Sequence, residues 1–70
     1  MDKVKLQVGD IFQQAWKGCS HPIAFKVLDI NREENSLRVR CFGNAQWEEI
    51  WDDLDVTENA FSIGEYRMIK

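Results

Sequence analysis

The stretch from Ile23 to Phe42 constrains this chain most. Leu37-Arg38-Val39-Arg40-Cys41-Phe42 alternates apolar and charged residues. A period of two puts Leu37, Val39 and Cys41 on one face of a strand and Arg38 and Arg40 on the other. Ile23-Ala24-Phe25-Lys26-Val27-Leu28-Asp29-Ile30 is rich in β-branched and aromatic residues, which favour a pleated, half-buried surface. Between the two runs, Asn31-Arg32-Glu33-Glu34-Asn35-Ser36 has no apolar residue and suits a turn, so the stretch reads as a long antiparallel hairpin. Its first strand is irregular. Phe25, Val27, Leu28 and Ile30 cannot all share one face of a regular strand, which requires a bulge near Asp29 or a cover on both faces.

The rest of the chain arranges itself around this hairpin. Val4, Leu6 and Val8 alternate with Lys5 and Gln7, as in a short strand; Gly9-Asp10 then marks a bend in which the glycine supplies a positive φ or a close approach of backbones. A strand follows in Ile11-Phe12-Gln13-Gln14-Ala15-Trp16. Lys17 to Pro22 is a loop that contains the only proline. After a turn at Gly43-Asn44, the segment Gln46 to Asp53 is open to two readings. As a strand it places Trp47, Glu49 and Trp51 on one face and Glu48, Ile50 and Asp52 on the other. As a helix it groups Trp47, Ile50 and Trp51. The strand is preferred, because a helix would have to begin immediately after a hairpin strand. Leu54 to Gly64 predicts a short helix capped by Asp53 or Asp55, packing through Val56, Ala60 and Ile63 with Phe61 beside them and ending at Gly64. Glu65 to Lys70 predicts the closing strand.

Seventy residues lie near the lower limit for folding on one apolar core, and residues 1–70 are expected to form a single small β-barrel domain. The expected fold is mainly β: a small five-stranded antiparallel barrel, or a strongly curled sheet, with one short helix over about residues 55–63 before the last strand. Closure would also remove exposed sheet edges. The order of elements resembles the small five-stranded barrels of the Src-homology type, with Val8-Gly9-Asp10-Ile11 as the opening bend. Lys17 to Pro22 would be the loop into the central hairpin, and Leu54 to Gly64 the helical turn before the last strand. The helix is longer than the single turn usual in such barrels, so a simpler α+β sheet-and-helix fold is the alternative. The resemblance implies binding of peptides, proteins or nucleic acid, without choosing among them.

Charge and chemistry narrow the function further. A net charge of -3 argues against non-specific binding to nucleic acid or anionic lipid. The opening residues lack the apolar core of a signal peptide and no run is long enough to span a bilayer, so a cytoplasmic protein without membrane association is expected. Cys19 and Cys41 do not form a disulfide pattern, and Cys41 reads as a small buried hydrophobe. Cys19 and His21 lack the partners of a zinc site, and two residues in one loop do not establish a thiol nucleophile and its base. The glycines are scattered rather than gathered into a phosphate loop. Neither enzymatic activity nor a cofactor is expected, and the carboxylates Glu48, Glu49, Asp52, Asp53 and Asp55 read as a solvated acidic rim.

Two surfaces compete as candidate sites. The tryptophans Trp16, Trp47 and Trp51 either fill the barrel interior and its ends or stand in a surface groove. In the second case Trp47 and Trp51, with Glu48, Glu49, Asp52 and Asp53, would select a basic segment of a protein or peptide partner. The alternative is a face for single-stranded nucleic acid built from Lys26, Arg38, Arg40, Phe42 and Arg67. Against it, Asp29 is placed to neutralise Arg38 across the hairpin. Self-assembly into a homodimer through a sheet edge is a third possibility.

Overall fold

In the computed structural model, which describes residues 4–18, 20, 22–42 and 49–69, the sequence folds around the central hairpin. The elements are β1 (Ile11–Gln14), β2 (Ala24–Asn31), β3 (Ser36–Phe42), β4 (Glu49–Asp53), α1 (Leu54–Ser62) and β5 (Tyr66–Met68). All five strands belong to one antiparallel sheet in the order β4-β3-β2-β1-β5. Of the two forms expected, the curled sheet is the one present. Among the described residues β4 and β5 do not pair, so the sheet is not closed into a barrel.

The hairpin follows its pattern. Leu37, Val39 and Cys41 are buried, and the arginines between them lie on the outer side. The register of β2 against β3 shifts between Val27 and Asp29, so Leu28 is the extra residue of a bulge. That shift lets Phe25 and Val27 face inward before it and Ile30, opposite Leu37, face inward after it. Asn35 closes the turn with φ 54°, a conformation asparagine tolerates better than most residues.

The opening segment departs from expectation. Residues 4–7 are irregular chain, although Leu6 is buried in the core. A strand needs a neighbour, and here the available ladder positions go to the bend instead. Gly9 N–H donates to Val27 O (2.9 Å) and Val27 N–H donates to Asp10 O (2.9 Å). Gly9 has φ 98° and a Cβ would meet nothing, so backbone conformation alone calls for glycine.

The helix also differs in the face it presents. Asp53 caps it by accepting from Val56 N–H (2.9 Å). Gly64, at φ 83°, ends it in a Schellman arrangement, with Glu65 N–H on Ala60 O (2.9 Å) and Gly64 N–H on Phe61 O (3.3 Å). The packed face is Leu54, Thr57, Glu58 and Phe61 with Ala60, while Val56 and Ile63 are exposed. Leu54 sits at the strand-to-helix corner over the core and sets the rotation of the helix, which turns Val56 outward.

The core consists of Leu6, Phe12, Phe25, Val27, Leu37, Val39, Cys41 and Leu54. Tyr66 from β5 closes it, with its ring 5.0 Å from Phe12, 5.8 Å from Phe25 and 5.8 Å from Phe61. This ring on β5 reaches one on β2, two strands away and about 10 Å distant at ordinary strand spacing, as expected where a sheet curls its inner face together. No tryptophan belongs to this core among the described residues; Trp16 and Trp51 are 47% and 58% exposed. The expectation that tryptophans fill the interior fails for these two because four phenylalanine and tyrosine rings already occupy it.

Candidate functional site

The strand reading of residues 49–53 is the one found, and its register decides the site. Glu49 lies opposite Arg40, Trp51 opposite Arg38 and Asp53 opposite Ser36, so Glu49, Trp51, Arg38 and Arg40 share the outer face of the sheet. Arg40 in turn lies opposite Lys26, and Phe42 opposite Ala24. Lys26 and Phe42 therefore stand on that same face, and both are exposed. Ile50 and Asp52 point to the other face, opposite Val39 and Leu37. There β4 overhangs the core and leaves both exposed.

A single carboxylate organises the centre of the outer face. Glu49 Oε1 is 3.4 Å from Arg38 Nη1, and Glu49 Oε2 accepts from Arg40 Nη2 at 3.1 Å. The Arg38 guanidinium carbon lies 5.8 Å from the centroid of the Trp51 ring, a cation–π arrangement that holds the ring against the sheet. Asp29 is opposite Arg38 in register, as expected, but the carboxylate that holds Arg38 is Glu49. The Asp29 carboxylate accepts from Ile30 N–H instead (2.9 Å), because the bulge turns it back on its own chain.

The two surfaces that compete in the sequence are thus one surface, and the acidic set is divided. Glu49 is between the arginines, Asp52 is on the opposite face, and Asp53 is engaged at the helix cap. Trp47 and Glu48 lie outside the described residues, as do Cys19, His21 and the Gly43-Asn44 turn. Arg67 is on the outer face too, in the row Phe42–Ala24–Gln13–Arg67. It stands three strands from Phe42, about 14 Å at ordinary strand spacing, and its guanidinium is 3.5 Å from Gln13 Oε1. Ile50 was not singled out by sequence; only its place on an edge strand exposes it.

Among the described residues no helix is long and apolar enough to cross a membrane. A scan against protein-family models and searches of the curated proteins and of the solved structures return no match.

Proposed function

We propose that this protein is a non-enzymatic binding module that takes a protein or peptide partner on the outer face of β3 and β4, centred on Trp51. One observation carries the reading: Trp51 is the most exposed described tryptophan, and it lies against Arg38 of the neighbouring strand rather than in the core. Tryptophan and arginine are the residue types most enriched where protein contacts concentrate their energy. A fixed aromatic also loses little freedom on binding. The resemblance of the element order to Src-homology-type barrels, whose members bind partners, supports the reading. A cytoplasmic setting belongs to the same proposal and is supported by cysteines that show no disulfide pattern.

Trp51→Ala tests it. The substitution removes one exposed cation–π contact, about 0.5–1 kcal/mol, so the variant folds. Proteins retained by the wild-type domain from its native host, and identified by mass spectrometry, are expected to be lost with the variant. Retention of the same partners by both rejects the reading. A second reading, single-stranded nucleic acid, is favoured by the register that places Lys26, Arg38, Arg40 and Phe42 together. Against it, Glu49 shares its carboxylate with both arginines and the whole chain carries -3. Filter binding of an oligothymidylate at low salt separates the two, since phosphate contacts are strongest there.

A further inference from the structure

Among the described residues β4 ends the sheet on one side, and the direction of its backbone groups follows from one bond. Leu54 N–H donates to Asn35 O, on the β3 side, at 3.0 Å. Backbone direction alternates along a strand, so Asp52 and Ile50 also turn toward β3 while Asp53, Trp51 and Glu49 turn to the open side. At Asp53 the outward N–H is already satisfied, donating to the Asp52 carboxylate at 2.8 Å. The rungs offered outward are those of Trp51 and Glu49.

Edge strands left in water are ordinarily blunted by lysine, proline, a bulge or a covering element. Glu49–Asp53 contains neither lysine nor proline, and its register with β3 runs without a shift. It exposes an apolar residue on each side, Trp51 outward and Ile50 inward. Its charges are all of one sign: Glu49, Asp52 and Asp53. Like charges facing each other across paired strands repel, so the β4 of a second copy is a poor neighbour. Glu49 already holds Arg38 and Arg40, so a strand with cations gains its new cross-strand pairs at Asp52 and Asp53.

We propose that β4 is a strand-addition edge, and that its occupant is an extended lysine- or arginine-bearing segment of the partner, taken up as a sixth strand beside Glu49, Ile50 and Trp51. The inference rests on the protein-binding reading above and specifies its partner. The segment's main chain exchanges hydrogen bonds with Trp51 and Glu49. A β-branched or aromatic side chain lies beside Trp51 and another beside Ile50, while cations meet Asp52 and Asp53. The satisfied N–H of Asp53 sets the end of the added ladder.

The test uses the full chain, isotopically labelled, at low salt. One probe is an end-blocked peptide whose consecutive residues facing Ile50, Trp51, Asp52 and Asp53 are valine, valine, lysine and lysine; the other is the same peptide N-methylated at alternate residues, which keeps its charge and loses one row of donors. The unmodified peptide is expected to saturate, to slow amide exchange at Trp51 and Glu49 about tenfold, and to bind about tenfold more tightly than the N-methylated one. Equal binding of both, with a shifted Trp51 indole and unprotected amides, overturns strand addition and leaves the outer-face reading standing. Binding of neither peptide also overturns strand addition, and the Trp51→Ala capture comparison then decides the outer-face reading by itself.

Discussion

Glu58 shows how much one side chain can hold in a chain this small. It is 4% exposed, on the packed side of α1, and its Oε2 accepts from Leu6 N–H at 2.7 Å and from Arg32 Nη2 at 3.2 Å. Arg32 also donates to Leu6 O at 3.0 Å. The irregular opening segment is thereby tied to the helix and to the hairpin turn at once, which explains how Leu6 stays buried without a strand around it. Glu58→Ala is expected to lower unfolding stability by about 2–3 kcal/mol, because it strands a buried donor and a charged partner. Glu58→Gln, which keeps an acceptor oxygen, is expected to cost less; urea denaturation of both variants checks the ranking. Tyr66 supplies a pH-dependent term. Burial, chiefly, and then the nearby charges of Asp52, Glu65 and Cys41 raise its phenol above the ordinary 10.0. A folded value above the unfolded one means that the folded chain holds the proton more tightly. The associated stability is complete below about pH 10 and is lost as pH rises through the folded value. Melting of the wild type and of Tyr66→Phe compared across the alkaline range is expected to diverge above that point, the wild type losing stability faster.

At the level of elements, the junction between β4 and α1 is built against the hairpin turn. Asp53 Oδ1 accepts from Val56 N–H and from Asn35 Nδ2 (3.0 Å), while Asn35 Oδ1 accepts from Asp55 N–H (2.9 Å) and Asn35 O from Leu54 N–H. A turn residue and a cap residue therefore hold each other, and the turn fixes where the helix starts. Asp53→Ala is expected to cost about 1 kcal/mol as a lost cap, with more from the stranded Asn35 amide. Asn35→Gly keeps the left-handed backbone and removes only the side-chain clamp. A double-mutant cycle on the two positions is expected to give a coupling of about 0.5–2 kcal/mol; simple additivity would mean that the clamp contributes nothing. Because β4 carries Trp51, loosening this junction is also expected to weaken any partner that docks there.

For the molecule as a whole, one curled sheet and one helix enclose a core of few side chains, so each carries a large share of the stability. Leu37, 0% exposed at the centre of β3, is the strongest case. Leu37→Ala is expected to cost about 2–5 kcal/mol. A domain of this length has roughly 4–10 kcal/mol in total, so the variant is expected to lose a large share of its stability and to melt well below the wild type by circular dichroism.

The sequence by itself determined whatever depends on neighbours along the chain. The period of two in residues 37–42, the polar turn at 31–36, the bend at Gly9-Asp10 and a helix closing at Gly64 were legible there, because each follows from side-chain alternation or from backbone conformations that few residues tolerate; the irregularity of the first hairpin strand and the helix cap were each narrowed to two options, a bulge near Asp29 or a cover on both faces, and Asp53 or Asp55. Only the tertiary structure decided which face of the helix is buried, which carboxylate holds Arg38, and that Phe12, Phe25, Phe61 and Tyr66 leave Trp16 and Trp51 outside. It also merged the aromatic and arginine surfaces into one, since the register of β4 on β3 sets Trp51 over Arg38. These are contacts between residues distant in the chain, and their choice is a competition for limited interior volume and for a few unpaired charges. Local pattern restricts the competitors; the winner emerges only when all of them are packed together.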